Sequence, residues 1–212
     1  LFVCFTVVGQ QKITIDEIYN GTFRTKGMDA LQSLKNTNQY TVLNFDRQSR
    51  STTIDLYDFA TLKKVSTLID TKSFPALANG INSYTFDASE KLILIACNTN
   101  QIFRHSFTAD YYLYNISTKE LKKPFDFQVQ EPTLSPDGKK IAYAKGNNLF
   151  VYDIASSKTT AITTDGLKNS IINGITDWVY EEEFAFVRAF DWSADSKKVA
   201  YIRFDESKVP EF

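Results

Sequence analysis

The sequence predicts an all-β fold, a β-propeller with four-stranded antiparallel blades, and three observations support this prediction. Aromatic residues make up 14% of the chain, and its 17 Phe and 11 Tyr favour strands. Short apolar runs at 92–96, 141–144 and 149–152 lie between turn sequences. Continuous apolar strands need cover on both faces of a sheet, which the stacked blades of a propeller provide. The third observation is a pair of sequence elements that recur along the chain.

The first recurring element is a turn followed by a strand. Its copies are TLSPDGKKIAY at 133–143, TFDASEKLILI at 85–95 and DWSADSKKVAY at 191–201. The second element is a tyrosine-containing strand, found at 54–61, 111–118 and 149–156. Successive copies of the first element start 48 and 58 residues apart. This spacing is close to the repeat of four-stranded propeller blades, about 40–50 residues.

The length limits how much of a propeller the chain contains. A closed propeller has about four to eight blades, whereas 212 residues provide about three blades and the opening of a fourth. We therefore expect residues 12–212 to form the first part of a longer propeller domain. Helical patterns are confined to 13–20 and to one turn at 177–183.

An apolar run, LFVCFTVVG, opens the sequence. It is too short to span a bilayer and is followed by a candidate cleavage zone at 9–11, so we interpret residues 1–11 as the remnant of a secretory signal peptide. The alternative is an apolar first strand. The signal-peptide interpretation predicts a protein exported to the periplasm, the cell surface or the medium, without a membrane span.

Composition and motifs exclude several classes of function. The net charge of -1 provides no global field for nucleic acid or for an anionic membrane. One His and two Cys cannot build a His/Cys zinc site, so no metal is expected. The sequence contains no glycine-rich phosphate loop and no G-x-S-x-G nucleophile motif. With His105 as the only imidazole, we expect no cofactor and no catalytic residue in this chain.

The most conspicuous cluster of charges lies in DWVYEEEFAFVRAF at 177–190. Four acids fall within seven residues: Asp177, Glu181, Glu182 and Glu183. A run of acids is usually a solvated surface, but flanking apolar residues such as Trp178 and Tyr180 predict a segment anchored against a core. Carboxylates held close together repel one another unless a cation lies between them. An ammonium group suits such a site, because its three donors can reach several oxygens.

A second candidate is the segment NTNQIFRHS at 98–106. It follows an apolar strand and precedes a tyrosine-rich one, so we expect it at a blade end, where loops line one mouth of the propeller. In such a loop, Arg104 can donate hydrogen bonds to a carbonyl or a carboxylate. The alternatives are a surface arginine or one paired with a nearby acid. For His105, we expect a hydrogen-bonded packing residue rather than a base.

These segments resemble the propeller domain of the dipeptidyl peptidase IV family of prolyl-specific serine exopeptidases. The likeness lies in NGITDWVYEEEF at 173–184, FRHSFTADYYLYNI at 103–116 and DWSADSKKVAYIRFDESKVPEF at 191–212. It begins near residue 81, and the earlier part of the chain is similar only in topology. The resemblance implies an eight-bladed N-terminal propeller that caps a C-terminal α/β-hydrolase domain, which is absent from this chain. It also implies a parent protein that forms homodimers, as family members commonly do.

The resemblance further implies roles for individual residues. Glu182 and Glu183 match a glutamate pair that binds the N-terminal ammonium of the peptide, and Arg104 matches an arginine that orients a substrate carbonyl. Supporting positions are Glu181, Tyr180, Trp178 and His105. The implied reaction removes N-terminal Xaa-Pro or Xaa-Ala dipeptides, and the sequence does not separate it from release of tripeptides. The alternative function is a stand-alone periplasmic propeller, an interaction scaffold without catalysis.

Overall fold

The computed structural model of the chain describes residues 12–25, 27 and 30–210. The predicted signal-peptide remnant at 1–11 lies outside the described residues. Within the described ranges, no helix is long and apolar enough to cross a membrane. The same residues contain no group of three or more His, Cys, Asp or Glu side chains placed to hold a metal ion.

The smaller of two compact units, Leu1–Ala30, contains helix α1 (Ile15–Tyr19). A capping box begins this helix. The Oγ1 of Thr14 accepts a hydrogen bond from the N–H of Glu17 at 3.2 Å, and the Glu17 carboxylate accepts one from the N–H of Thr14 at 2.8 Å. These bonds satisfy N–H groups that have no partner inside the helix. The helical pattern predicted at 13–20 is therefore confirmed.

The second unit, Leu31–Phe212, contains three four-stranded antiparallel sheets, each with its strands in sequence order. The first blade consists of β1 (Leu31–Ser33), β2 (Gln39–Asp46), β3 (Ser51–Asp58) and β4 (Lys64–Asp70). The second consists of β5 (Ser83–Phe86), β6 (Leu92–Gln101), β7 (Phe107–Asn115) and β8 (Leu121–Lys122). The third consists of β9 (Gln130–Leu134), β10 (Lys140–Lys145), β11 (Asn148–Asp153) and β12 (Lys158–Ala161).

Shorter elements complete this unit. Two 3-10 turns, Thr71–Ser73 and Pro75–Leu77, connect the first blade to the second. After the third blade, two strand pairs form the opening of a fourth blade: β13 (Ile171–Asn173) with β16 (Arg203–Asp205), and β14 (Phe190–Trp192) with β15 (Val199–Tyr201). Helix α2 (Trp178–Phe184) lies between β13 and β14. The predicted all-β propeller, with three blades and the opening of a fourth, is confirmed.

The three copies of the recurring turn take equivalent places: between β5 and β6, between β9 and β10, and between β14 and β15. In the third blade, the N–H of Gly138 donates to the carbonyl of Ser135 at 2.8 Å, and the Ser135 hydroxyl accepts from the N–H of Lys140 at 3.0 Å. The corresponding residues of the other copies, Glu90 and Ser196, share the positive φ of Gly138: +57°, +60° and +68°. The repeated sequence therefore produces a repeated backbone conformation.

Strand β6 is buried on both faces, as its continuous apolar run predicts. One face packs on the first blade through Ile93, Ile95 and Cys97. The opposite face packs on the third blade through Leu94 and Ala96. Side chains alternate between the two faces of a strand, so an uninterrupted apolar run supplies both interfaces at once. Cys97 is a buried free thiol in this core.

Candidate functional site

Helix α2 is inserted between β13 and β14 on a neck of two antiparallel segments. Ile175 and Arg188 form a β-bridge at its base. Above them, the N–H of Thr176 donates to the carbonyl of Val187 at 3.1 Å, and its hydroxyl donates to the carbonyl of Phe186 at 2.9 Å. Because the chain leaves and returns at one place, both ends of the helix are tied to the fourth blade.

Local hydrogen bonds define both ends of α2. Asp177 caps the first turn, since its carboxylate accepts a hydrogen bond from the N–H of Tyr180 at 2.8 Å. Ala185 ends the helix in the left-handed conformation, with a φ of +55°, and its N–H donates to the carbonyl of Glu181 at 3.1 Å. This type of ending satisfies a carbonyl that has no partner inside the helix. The helical turn predicted at 177–183 is confirmed.

Glu181 points into the protein and joins α2 to the tip of the β6–β7 hairpin. Its side chain is fully buried, and its Oε1 accepts hydrogen bonds from the N–H groups of His105 and Ser106, the latter at 3.0 Å. Burial acts to raise the pKa of this carboxyl, but the hydrogen bonds from Ser106 and His105 outweigh burial and hold the pKa below its ordinary value. The ionised Glu181 therefore connects two segments that are 76 residues apart in the sequence.

The hairpin tip that contains Arg104 is closed by its own hydrogen bonds. The Nε2 of Gln101, the last residue of β6, donates to the carbonyl of Arg104 at 3.0 Å. The N–H of Ile102 donates to the carbonyl of Ser106 at 2.9 Å, which closes the turn. The segment 98–106 thus lies at a blade end, as predicted, and its tip has a defined conformation.

Arg104 lies close to α2, called the glutamate helix below because it carries Glu181, Glu182 and Glu183, and it pairs with Glu182. The Nη1 of Arg104 lies 3.3 Å from the Oε2 of Glu182. The arginine side chain is 72% exposed, whereas that of Glu182 is only 15% exposed. Glu183 is exposed, and within the described part of the chain no basic side chain pairs with it. The two glutamates and the arginine leave one net negative charge, so the cluster can accept one further positive group.

The aromatic residues of α2 do not anchor the helix as a group, contrary to the sequence prediction. Trp178 is 55% exposed. Tyr180 does pack on its surroundings, because the centroid of its ring lies 4.7 Å from that of Phe204 and 5.4 Å from that of Phe184. A short surface helix turns one face toward the protein, and in α2 the buried position on that face belongs to Glu181. The main anchor is therefore a carboxylate.

His105 contributes its backbone to this arrangement. Its side chain is exposed, so the prediction of a packing residue is wrong. The N–H of His105 donates to Glu181, and this bond depends on the sharp turn at the hairpin tip, where the backbone faces the helix and the ring faces solvent. The sequence could not show whether the backbone or the side chain of His105 takes part, because every residue except proline has a backbone N–H donor.

Sequence reasoning missed Glu131, a partly buried acid on β9. It has a φ of +52° at an irregularity in the pairing of β9 with β10. Burial raises the pKa of Glu131; the charge of Arg188 opposes this change and the charge of Glu181 adds to it. The signal in the sequence was an acid next to Pro132, because a proline in a sheet is found at edges or at bulges, where regular pairing is interrupted.

A pocket of about 410 Å³ adjoins α2 and the hairpin tip. Its apolar lining includes Ile102, Phe103 and Trp178, and its acidic lining consists of Asp177 and Glu206. The pocket thus lies between the first turn of the glutamate helix, the segment that follows β16, and the tip of the β6–β7 hairpin. This hairpin carries Arg104 and is called the arginine hairpin below.

Comparison with known proteins identifies the family. Residues 87–212 match the family model described as the dipeptidyl peptidase IV (DPP IV) N-terminal region. The chain belongs to the dipeptidyl peptidase IV family. Dipeptidyl peptidase 4 of Felis catus is 34% identical over 148 residues, which cover 68% of this chain and 19% of that protein. The probable dipeptidyl-aminopeptidase B of Talaromyces marneffei is 39% identical over 128 residues, 58% of this chain and 14% of that protein.

A solved structure of the dipeptidyl peptidase IV family shares the fold over nearly the whole chain. The crystal structure of Porphyromonas gingivalis dipeptidyl peptidase 4 matches with a TM-score of 0.84 and 33% identity, over 97% of this chain and 29% of that one. The resemblance found in the sequence is therefore confirmed at the level of the family, and the structural match includes the first blade. The chain spans about a fifth of the length of the feline relative and under a third of the bacterial one.

Proposed function

We propose that this chain is the substrate-recognition propeller of a dipeptidyl peptidase IV-like serine exopeptidase, which removes Xaa-Pro or Xaa-Ala dipeptides from free N-termini. The observation that carries the proposal is the ion pair of Arg104 with Glu182, next to the exposed carboxylate of Glu183. Two segments distant in sequence thus bring the Arg104 guanidinium to the Glu182 carboxylate, and Glu183 follows on the same helix. Family membership supports the reaction class.

The charge of the cluster suits an N-terminal ammonium. Glu182 and Glu183 carry two negative charges against the one positive charge of Arg104, so a single ammonium makes the site neutral. Its three N–H donors can contact both carboxylates. The Arg104 guanidinium has five N–H donors, so it can keep Glu182 and also donate to a carbonyl of the substrate.

The same cluster accounts for selection of chain ends. An internal segment of a peptide brings no ammonium, so its binding would remove water from the carboxylates without replacing the lost hydrogen bonds. A clamp that holds the N-terminus at a fixed place also sets the distance to the bond that is cut. Glu182, Glu183 and Arg104 are therefore proposed as substrate-positioning residues, and bond cleavage is assigned to a hydrolase domain of the parent protein.

Two further proposals concern the parent protein. Export is supported by the apolar run in residues 1–8, and homodimer formation is supported by the family resemblance.

The test compares two substrates in the full-length enzyme. One is a chromogenic Xaa-Pro substrate with a free amine, and the other is the same compound with an acetylated amine. Charge-assisted hydrogen bonds contribute about 1.5–3 kcal/mol, so Glu183→Gln should lower kcat/KM for the free amine roughly ten- to a hundred-fold. Glu182→Gln should act in the same direction. The loss should be far smaller for the acetylated substrate, which has no ammonium to place.

Glu120→Gln is a matched control, because Glu120 is a surface acid on the second blade, where it pairs with Lys122. Glu120→Gln should leave the ratio of kcat/KM for the free-amine substrate to kcat/KM for the acetylated substrate unchanged. Equal losses for both substrates in Glu182→Gln and Glu183→Gln, together with a lower melting temperature, would show a structural role and refute the ammonium clamp.

A further inference from the structure

An acid pair lies at the start of the glutamate helix. Asp177 caps α2 through the N–H of Tyr180, at 2.8 Å. The carboxyl groups of Glu206 and Asp177 lie within hydrogen-bond reach of each other, and both residues line the 410 Å³ pocket. Glu206 follows β16, and its own N–H donates to the carbonyl of Ser170 at 2.7 Å. The pair therefore links the cap of α2 to backbone that is held in the fourth blade.

Among the described residues that line the pocket, Lys168 is the one basic side chain near this pair. The charged residues that line the pocket are Asp177, Glu206 and Lys168. On the adjacent strand β16, the Nε of Arg203 lies 3.0 Å from Asp165, and its Nη1 lies 3.6 Å from Asp205, so this guanidinium is already paired. Two carboxyl groups in hydrogen-bond contact need a proton between them. Burial, followed by the hydrogen bond to Asp177 and its charge, raises the pKa of Glu206 to about 7.

We propose that Glu206 is a positioning residue for the substrate clamp: its neutral carboxyl donates a hydrogen bond to Asp177 and thereby fixes the helix on which Glu182 and Glu183 stand. The inference rests on the proposed function. When Glu206 loses its proton, the hydrogen bond to Asp177 is lost and two negative charges face each other at the helix cap. The first turn of α2 then shifts away from Glu206, and the clamp carboxylates lose their placement.

The direction of the pH dependence follows from the two pKa values of Glu206. The value in the folded protein, about 7, lies above the ordinary value of 4.5, so the folded state binds the proton more tightly than the unfolded state. The stabilisation is therefore complete below pH 4.5 and is lost as the pH rises through about 7. Substrate binding at the clamp should weaken over the same upper range.

The test uses the full-length enzyme and the free-amine substrate between about pH 5.5 and 8.5. The measured quantity is the ratio of kcat/KM for Glu206→Gln to that for wild type, because titration of the substrate amine and of the catalytic groups cancels in this ratio. The amide that Glu206→Gln introduces donates to Asp177 at every pH. One neutral hydrogen bond changes an equilibrium by roughly three- to ten-fold, so the ratio should rise by that factor between about pH 6 and 8.

Two further variants keep the result interpretable. Asp177→Asn retains a good helix cap, since asparagine also accepts from the N–H of Tyr180. The amide that this variant introduces can donate to ionised Glu206. The ratio of kcat/KM for Asp177→Asn to that for wild type should therefore also rise with pH. For Glu120→Gln, the surface control, the ratio of kcat/KM to that of wild type should not change with pH. A second readout is the melting temperature, which in wild type should fall relative to Glu206→Gln as the pH is raised through 7.

The outcomes separate this inference from the proposed function. The role of Glu206 would be overturned if kcat/KM relative to wild type stayed constant with pH for both Glu206→Gln and Asp177→Asn. It would also be overturned if the difference in melting temperature between wild type and Glu206→Gln stayed constant with pH. The ammonium clamp would still stand if Glu183→Gln selectively impaired the free-amine substrate. If Glu183→Gln impaired both substrates equally, the clamp would be wrong, and the melting temperatures would still decide whether the acid pair titrates.

Discussion

Replacement of Glu181 by glutamine should loosen the contact between the arginine hairpin and the glutamate helix. In the structure, one buried oxygen of Glu181 accepts hydrogen bonds from the N–H groups of His105 and Ser106. Glutamine has nearly the same shape, so Glu181→Gln retains both acceptor contacts and removes the charge. The second oxygen, Oε2, is buried and has no hydrogen-bond partner among the described residues, so the new amide group gains no obvious acceptor.

The magnitude follows from the kind of hydrogen bond that changes. A bond to a charged group contributes about 1.5–3 kcal/mol, and a bond between neutral groups contributes about 0.5–1.5 kcal/mol. Two bonds change, while the smaller cost of burying an amide offsets part of the loss. We expect a net loss of about 1–2 kcal/mol in the free energy that holds the hairpin tip on α2. This loss corresponds to roughly five- to thirty-fold more frequent local opening.

Hydrogen exchange measures this opening directly. In the full-length protein, the amides of His105 and Ser106 should exchange roughly five- to thirty-fold faster in Glu181→Gln than in wild type. Glu183→Gln is the matched control on the same helix, because the Glu183 side chain is exposed, and it should leave both exchange rates unchanged. If Glu181→Gln altered these rates by less than about twofold, Glu181 would not be the tether between the two segments.

Two other predictions concern the core. In Gly174→Ala, the added Cβ would lie 2.6 Å from the Leu149 side chain at a φ of +73°; we expect denaturant titration to show a loss of about 2–4 kcal/mol. Gly146→Ala, also at positive φ but with open space around the new Cβ, should cost only about 1–2 kcal/mol, and equal losses would contradict the crowding argument. Burial raises the pKa of the Cys97 thiol to about 11, so peptide mapping after alkylation near pH 8 should find Cys97 unmodified in the native protein and modified after unfolding. Rapid native modification would show that this part of the core is open.

The blades could be predicted from the sequence because their signals are local. A turn such as Ser135-Pro136-Asp137-Gly138 sets its own backbone conformation within a few residues, and an apolar strand such as 92–96 carries its own burial pattern. Repetition of both signals then determined the architecture. The presence of acids on a short helix and of Arg104 at a blade end could be predicted for the same reason.

The division of roles among the three glutamates was decided only by the tertiary structure. Successive residues of a helix point about 100° apart, so Glu181, Glu182 and Glu183 face three directions. A run of identical residues does not show which one faces the protein. That choice depends on the N–H groups of the hairpin tip, 76 residues earlier in the sequence. The contact of Glu206 with Asp177 likewise depends on the return of β16 beside β13, because long-range pairing, and not local sequence, places these carboxyl groups together.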